Sequence, residues 1–137
     1  MKRLWISRIF IGTVTFLNLQ AALLFMLVPY HFVSSFELVG ETGKAVIQAL
    51  GVLFLMWNVP YIFALINPIK NHTSLIQANI MQAIGVIGET GILTMLKGSH
   101  PILSASITRF IIFDASGLAL LLITLLISHR LRIPVEK

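Results

Sequence analysis

The stretch AVIQALGVLFLMWNVPYIFALI, residues 45–66, decides the fold of this chain. It contains no charged residue, and it meets the requirement of about 20 apolar residues for a helix that crosses the hydrocarbon core of a bilayer. Similar apolar runs occupy roughly residues 4–28, 75–96 and 102–128. Because lipid offers the backbone no hydrogen-bond partners, helices are the default structure for such runs. The sequence therefore predicts an all-α integral membrane protein with four transmembrane helices and one long loop, residues 29–44.

The composition supports the same class. The chain has 137 residues, of which 57% are hydrophobic and 11% are charged, and its mean hydropathy is +0.93. A soluble domain contains about 25% charged residues, so the low charge favours a single transmembrane domain in contact with the lipid bilayer. The chain has no cysteine, which excludes disulfides and thiolate-ligated metals. Its excess of basic residues lies mainly near helix ends, a pattern typical of membrane topology and anionic lipid rather than nucleic acid.

The distribution of basic residues predicts the orientation in the membrane. One side would collect most of them: Lys2, Arg3, Arg8, Lys70, Arg130, Arg132 and Lys137. The other side would hold fewer, together with acidic residues: Lys44, Lys97, Glu37 and Glu41. The positive-inside rule then places both termini in the cytoplasm, and the short connections predict an up-down-up-down four-helix bundle. We expect this bundle in the cytoplasmic membrane of a prokaryote, with a short interfacial helix in the outer loop.

The sequence Gly-Glu-Thr-Gly occurs twice, at residues 40–43 and 88–91. In antiparallel neighbouring helices both copies would reach the outer half of the bundle. The glycines would allow close helix approach, and the threonine hydroxyls would bond back to a carbonyl or a neighbouring carboxylate. Chance similarity is an open alternative, because the spacing of the copies does not fit a duplicated hairpin.

Polar side chains at matched depths predict a site inside the bundle. At 1.5 Å of rise per residue, Glu89 and Arg109 both lie about 10 Å below the outer helix ends, which predicts an ion pair between them. Asp114 lies about 18 Å deep, near the bilayer centre. We expect it to face helix one or helix two. Three amides at a similar level are candidate hydrogen-bond partners for it: Asn18, Asn58 and Gln82.

The polar residues on or beside the apolar helices are the candidates for ligand binding or proton coupling: Glu41, Gln48, Asn58, Gln82, Glu89, Arg109 and Asp114. No catalytic or metal-ligating set is predicted. The alternative is that these groups stabilise helix packing, since polar side chains hydrogen-bond across membrane helices at about 0.6–2 kcal/mol each. Asp114 favours function over packing, because it has no evident cation partner in the membrane interior.

Short motifs add a family resemblance. Residues 8–12, RIFIG, open the first helix, a long loop with aromatic residues follows it, and Glu89-Thr90-Gly91 lies within the third helix. In these features the chain resembles the DoxX-like superfamily of small four-helix membrane proteins. Some members are subunits of quinone-reducing complexes. The chain departs from the pattern at residues 18–20, where a glycine is usual, and residues 108–114 have no place in it.

Three functions remain open on the sequence. The first is a membrane protein that binds a lipid-like or quinone-like molecule in a polar pocket in the outer half of the bundle, or serves as an accessory subunit of a larger complex. The second is a proton- or cation-coupled transporter or channel, which would require a homo-oligomer. The third is an intramembrane enzyme, such as a lipid isomerase, that uses carboxyl groups as acid and base. For the enzyme, the discriminating observation is whether Asp114 and Glu89 point into one cavity or pair off separately.

Overall fold

The computed structural model describes residues 2–96 and 98–132, with side chains as far as Arg130. Within these ranges the chain is helical and contains no strand. A 3-10 turn follows the second of the five α-helices, which are α1 (Lys2–Leu27), α2 (Tyr30–Val33), α3 (Gly40–Ile66), α4 (His72–Leu96) and α5 (Pro101–Arg132). The four long helices are long and apolar enough to cross a membrane, which confirms the predicted all-α class and is compatible with an integral membrane protein. Lys97 and Lys137, used in predicting orientation, lie outside the described residues.

The long helices α1, α3, α4 and α5 form a closed ring. Helix α1 packs against α3 and α5, and α4 packs against the same two helices. Each helix therefore presents one face to two neighbours and another to the surroundings. This arrangement explains why many large apolar side chains are exposed, because lipid is the medium that accepts them. The polar residues buried along the inner faces then have only one another and the backbone as partners.

Helices α1 and α3 approach each other closely at Gly51. A Cβ added there would lie 2.7 Å from Met26 Cγ, 2.9 Å from the Ala22 carbonyl oxygen and 3.0 Å from the Met26 amide nitrogen. Two of these neighbours are backbone atoms, which cannot rotate away. Glycine is therefore required at this contact for a steric reason, as in other membrane helix pairs that bring small residues together.

The predicted role of the repeated Gly-Glu-Thr-Gly glycines is wrong at three positions. A Cβ at Gly40, Gly88 or Gly91 would meet nothing within 4 Å, so none of them permits a close helix contact. Gly43 does pack tightly, against the side chains of Leu38 and Val33 rather than against a long helix. The first copy forms the start of α3, and the second lies inside α4. The expected backward bond is confirmed in the second copy, where the Thr90 hydroxyl donates to the Val86 carbonyl over 2.6 Å.

The segment between α1 and α3 contains the short helix that the sequence predicted, followed by the 3-10 turn Ser34–Phe36. At its end Glu37 adopts a left-handed backbone with φ of 54°. Its Oε1 accepts hydrogen bonds from the backbone amides of Ile102 and Leu103, both at 3.1 Å. Its Oε2 lies 2.6 Å from His100 Nδ1. Glu37 therefore caps the first turn of α5, where the amides have no intrahelical partners, and fastens the connecting segment to that helix.

This cap predicts a pH-dependent local stability. The hydrogen bond with His100 and the Leu103 amide hold the pKa of Glu37 below its ordinary value of 4.5. A lowered pKa in the folded state stabilises the cap above pH 4.5, and this contribution is lost as the pH falls through the lower folded value. We expect the protection of the Ile102 and Leu103 amides in hydrogen exchange, corrected for intrinsic rates, to fall at the acid end.

The control for this prediction lies in the same part of the molecule. The Val28 amide at the end of α1 bonds to the Leu24 carbonyl over 2.9 Å, with no carboxylate in that turn, so its protection should change little over the same pH range. In a Glu37→Gln variant the side-chain carbonyl can still accept from the amides, but the pH dependence should vanish. Equal protection of Ile102 and Leu103 at pH 3 and pH 6 in the wild-type protein would contradict the assignment.

Candidate functional site

All four long helices border a cavity of about 160 Å³. Its apolar wall comes from α3 and includes Leu50, Phe54 and Trp57. Its polar wall has members on the three other helices: Asn18 on α1, Gln82 and Glu89 on α4, and Asp114 on α5. The two carboxyl groups that the sequence singled out within the apolar helices, Glu89 and Asp114, therefore line the same cavity. We call this space the polar cavity.

Asp114 is held on one side of the polar cavity by α4. Its side chain is buried, with 8% of the residue exposed. The Oδ1 atom accepts a hydrogen bond of 2.8 Å from Gln82 Nε2. The Oδ2 atom lies over Gly85, where an added Cβ would be only 2.2 Å away. Among the described residues no lysine, arginine or histidine forms an ion pair with Asp114.

Of the three amides expected near Asp114, only Gln82 bonds to it. The prediction that Asp114 faces α1 or α3 through Asn18 or Asn58 is wrong in its hydrogen bonding. Asn58 is buried and donates to the Phe54 carbonyl of its own helix over 2.7 Å, while Asn18 shares the polar cavity without a hydrogen bond to Asp114. Gly85 accounts for the choice, because its missing side chain leaves room on α4 for the Asp114 carboxyl group one turn from Gln82.

A chain of hydrogen bonds leads across three helices to Asp114. Trp57 Nε1 lies 3.2 Å from Tyr61 Oη and donates to it. The Tyr61 hydroxyl lies 2.5 Å from Gln82 Oε1 and 3.2 Å from the Ala78 carbonyl. This geometry sets the Gln82 amide with its oxygen toward Tyr61 and its nitrogen toward Asp114. Sequence reasoning missed Tyr61; its position one turn after Trp57 and three residues after Asn58 was the available signal.

Glu89 lies at the junction of two spaces. It borders the polar cavity and also an apolar chamber of about 300 Å³. The chamber is lined chiefly by aromatic and aliphatic side chains, among them Phe25, Phe36, Ile92 and Phe110. The Glu89 Oε2 atom is buried, and no described group donates a hydrogen bond to it. Buried polar atoms are normally satisfied, so an orphaned one is a feature that calls for an explanation.

The aromatic rings form one cluster at the wall of this chamber. Phe25 is central, with ring centroids 4.7 Å from Phe32, 6.0 Å from Phe36, 5.9 Å from Phe54 and 6.1 Å from Phe110, all in edge-to-face geometry. Such pairs add about 0.5–1.5 kcal/mol each beyond their buried area. The cluster joins α1, the connecting segment, α3 and α5, and therefore gives the chamber a rigid aromatic wall.

The ion pair predicted between Glu89 and Arg109 is not formed. Within the described ranges the ion pairs are Glu41 with Lys44, at 3.1 Å, and Glu37 with His100. Arg109 is exposed on α5 and borders a separate groove, beyond the ring of Phe110. Equal depth was the basis of the prediction, but depth does not fix the direction in which a side chain leaves its helix.

The remaining candidates lie away from the polar cavity. Glu41 bonds to Lys44 and to the Tyr30 hydroxyl at the exposed start of α3. Gln48 donates to the Met26 carbonyl over 3.2 Å, which joins α3 to α1. Asn58 and Arg109 also lie outside the polar cavity. Of the predicted set the polar cavity unites Gln82, Glu89 and Asp114. The part of the chain that the structure describes shows no cluster of three or more potential metal ligands.

This arrangement suits recognition of a neutral polar head group. A carboxyl group accepts hydrogen bonds when ionised and can also donate one when protonated. Two such groups and the Asn18 amide around 160 Å³ can therefore bond to a carbonyl or a hydroxyl, while the Gln82 amide is occupied by Tyr61 and Asp114. The adjoining apolar chamber can receive a hydrocarbon or ring system that continues from that head.

No protein-family model, curated protein or solved structure matches the chain, so the resemblance to the DoxX-like superfamily stays a prediction.

Proposed function

We propose that this protein binds a lipid-like or quinone-like molecule within its helical bundle. The polar head of the molecule would occupy the polar cavity, and its apolar body would occupy the adjoining apolar chamber. The observation that carries the proposal is the position of Glu89, whose buried Oε2 has no hydrogen-bond partner among the described residues where the two spaces meet. A ligand hydroxyl at that point would donate the missing hydrogen bond.

The form of the site supports this class of ligand. Small-molecule sites are mostly apolar, with a few polar groups that set orientation, and occupy about 300–1,000 Å³. The chamber alone reaches the lower limit at about 300 Å³, and the polar cavity adds about 160 Å³. Asp114 is already oriented by Gln82, so binding need not order this side of the site. The walls are aromatic rings and aliphatic side chains, which suit a flat ring system or an isoprenoid chain.

The setting we propose follows the sequence. The bundle would run up-down-up-down with both termini in the cytoplasm, in the plasma membrane of a prokaryote. The end of the bundle that carries Glu37 would then face outward, with Glu89 in the outer half. The protein would act alone, as a homo-oligomer, or as an accessory subunit that holds the molecule for a larger membrane complex.

Substitution of Glu89 tests the proposal. Native mass spectrometry of protein extracted in mild detergent should find a small bound mass on the wild-type protein. We expect Glu89→Gln to reduce its occupancy by about fivefold to tenfold. The glutamine oxygen can still accept the hydrogen bond, but a bond to a charged group contributes about 1.5–3 kcal/mol and a neutral one about 0.5–1.5 kcal/mol. Asp114→Asn should weaken retention less if Gln82 still donates to the new side chain.

A matched control comes from the other copy of the same motif. Glu41→Gln changes the same residue in the same Gly-Glu-Thr-Gly context, but Glu41 is exposed and lies outside the cavity. Retention should therefore stay at the wild-type level. If Glu89→Gln and Asp114→Asn both retain every co-purified molecule as well as Glu41→Gln does, the proposal is wrong.

The second candidate is a proton- or cation-coupled oligomeric transporter. It is favoured by one observation: two carboxyl groups share a cavity, and no described basic residue forms an ion pair with either. Proteoliposomes in a pH or cation gradient discriminate between the two functions. Gradient-driven flux that is lost in Asp114→Asn would favour transport. The same shared cavity also suits intramembrane acid–base chemistry on a lipid, which conversion of the co-purified molecule would reveal.

A further inference from the structure

A second site lies on the other side of the aromatic cluster. A groove of about 300 Å³ runs between α1, the connecting segment and α5. Its apolar surface includes Phe32, Phe110 and Phe113, and its basic side chains are His31 and Arg109. We propose that this groove binds an anionic phospholipid, with Arg109 and His31 holding the phosphate and the phenylalanine rings contacting an acyl chain.

The charge of Arg109 is the first argument. Arg109 follows the first residue of α5 by eight positions, so it lies about 12 Å along the helix, within an apolar span. A basic residue at the centre of a membrane helix costs about 2.5–3.5 kcal/mol on insertion scales. No described carboxylate forms an ion pair with it. Its one hydrogen bond is long, 3.4 Å from Nε to the Ala105 carbonyl, which leaves the other guanidinium donors available.

The nearby acidic groups are committed elsewhere. Glu37 is bonded to His100 and to the amides at the start of α5. Glu89 lines the chamber rather than this groove. With these described carboxylates bonded elsewhere, the charge partner we propose is a phosphate group of the membrane, which matches the planar fork of an arginine side chain.

The position of His31 is the second argument. The connecting segment is fixed over the groove, because the Ser106 hydroxyl donates to the Ser35 carbonyl over 2.6 Å and Glu37 caps α5. His31 is exposed on this segment and borders the same groove as Arg109. An imidazole N–H and a guanidinium therefore approach one space from two separate elements. That arrangement fits an anion between them, with its acyl chain on the rings below.

Retention of lipid by the full-length protein tests this site. The detergent-purified protein is mixed with phosphatidylglycerol or phosphatidylcholine, and bound lipid is counted by native mass spectrometry. We expect the wild-type protein to retain phosphatidylglycerol preferentially. Arg109→Gln should lower that retention by about tenfold, Arg109→Lys should lower it less, and His31→Gln should also lower it. Lys44→Gln is the matched control, because Lys44 pairs with Glu41 away from the groove.

Each outcome decides the question. Equal retention of phosphatidylglycerol by the wild-type, Arg109→Gln and His31→Gln proteins would mean that Arg109 only extends toward water, and would overturn the site. Equal retention of the two lipids would overturn recognition of charge. Competition by inorganic phosphate alone would assign a free anion rather than a lipid. If Arg109→Gln fails to fold, His31→Gln on the exposed segment carries the test. Glu89→Gln should keep its phosphatidylglycerol, so the two proposed sites can fail separately.

Discussion

The Gly51→Ala variant is expected to be less stable than the wild-type protein by about 1–2 kcal/mol. Its new Cβ would lie 2.9 Å from the Ala22 carbonyl oxygen and 3.0 Å from the Met26 amide nitrogen. Overpacking of this kind costs about 1–3 kcal/mol, because the helices must move apart. Alanine gains about 0.5–1 kcal/mol over glycine in a helix interior, which offsets only part of that cost. The separation of α1 from α3 should lower the midpoint of unfolding in denaturing detergent.

The same substitution at Gly88 provides the control. Nothing lies within 4 Å of a Cβ at that position, so only the gain in helix propensity remains. We expect Gly88→Ala to match the wild-type protein or to exceed it by up to about 1 kcal/mol. Equal unfolding midpoints for Gly51→Ala and Gly88→Ala would show that the contact between α1 and α3 is looser than the structure indicates.

The contrast between these glycines shows what the sequence could predict. Both lie in apolar helices, and the motif around Gly88 was the more conspicuous of the two. Small residues can support close packing, but only the direction in which each one faces decides whether they do. The number and rough positions of the long helices were predictable, because run length and apolarity alone determine whether a helix suits a bilayer. The apolar runs predicted that α3 and α4 begin at residues 45 and 75. The helices begin earlier, at Gly40 and His72, because polar residues form the first turn of each.

The depth of each candidate side chain in the bundle was predictable from the sequence, but the direction in which it leaves its helix was not. Counting 1.5 Å per residue correctly brought Gln82 near Asp114. The same count also paired Glu89 with Arg109, which lie on opposite sides of Phe110. The position of the Asp114 carboxyl group against α4 depends on Gly85, whose role follows from packing between elements and not from a local pattern.

The repeated motif shows the same limit in another way. Glu41 and Glu89 have identical neighbours on both sides, yet one is exposed beside Lys44 and the other is half-buried between two cavities. The position within the helix separates them: the first copy begins α3, and the second follows several turns of α4. Local sequence alone therefore does not assign a common function to the two glutamates.

Replacement of Gln82 by leucine is expected to affect both stability and ligand retention. Gln82 is 1% exposed, and it supplies the side-chain hydrogen bond to Asp114 as well as a 3.2 Å bond to the Asp114 carbonyl. Leucine has a similar size but no donor, so it leaves the buried carboxyl group without its partner. Such a loss costs about 1–3 kcal/mol in soluble proteins, and interhelical bonds in membranes average about 0.6 kcal/mol. We expect about 1–2 kcal/mol here, because the lost partner serves a carboxyl group.

A double-mutant cycle separates the bond from the side chain. Gln77→Leu makes the same change on the exposed side of α4 and should cost little, so an equal cost at both positions would contradict the role given to Gln82. Adding Asp114→Ala to Gln82→Leu should cost less than Asp114→Ala costs in the wild-type protein, because the buried acceptor is already without its partner. Additive costs would mean that the two side chains stabilise the bundle independently. Coupled costs together with a loss of the bound molecule in Gln82→Leu would mean that the bond positions Asp114 for the ligand, since Gln82→Leu retains both carboxyl groups of the polar cavity.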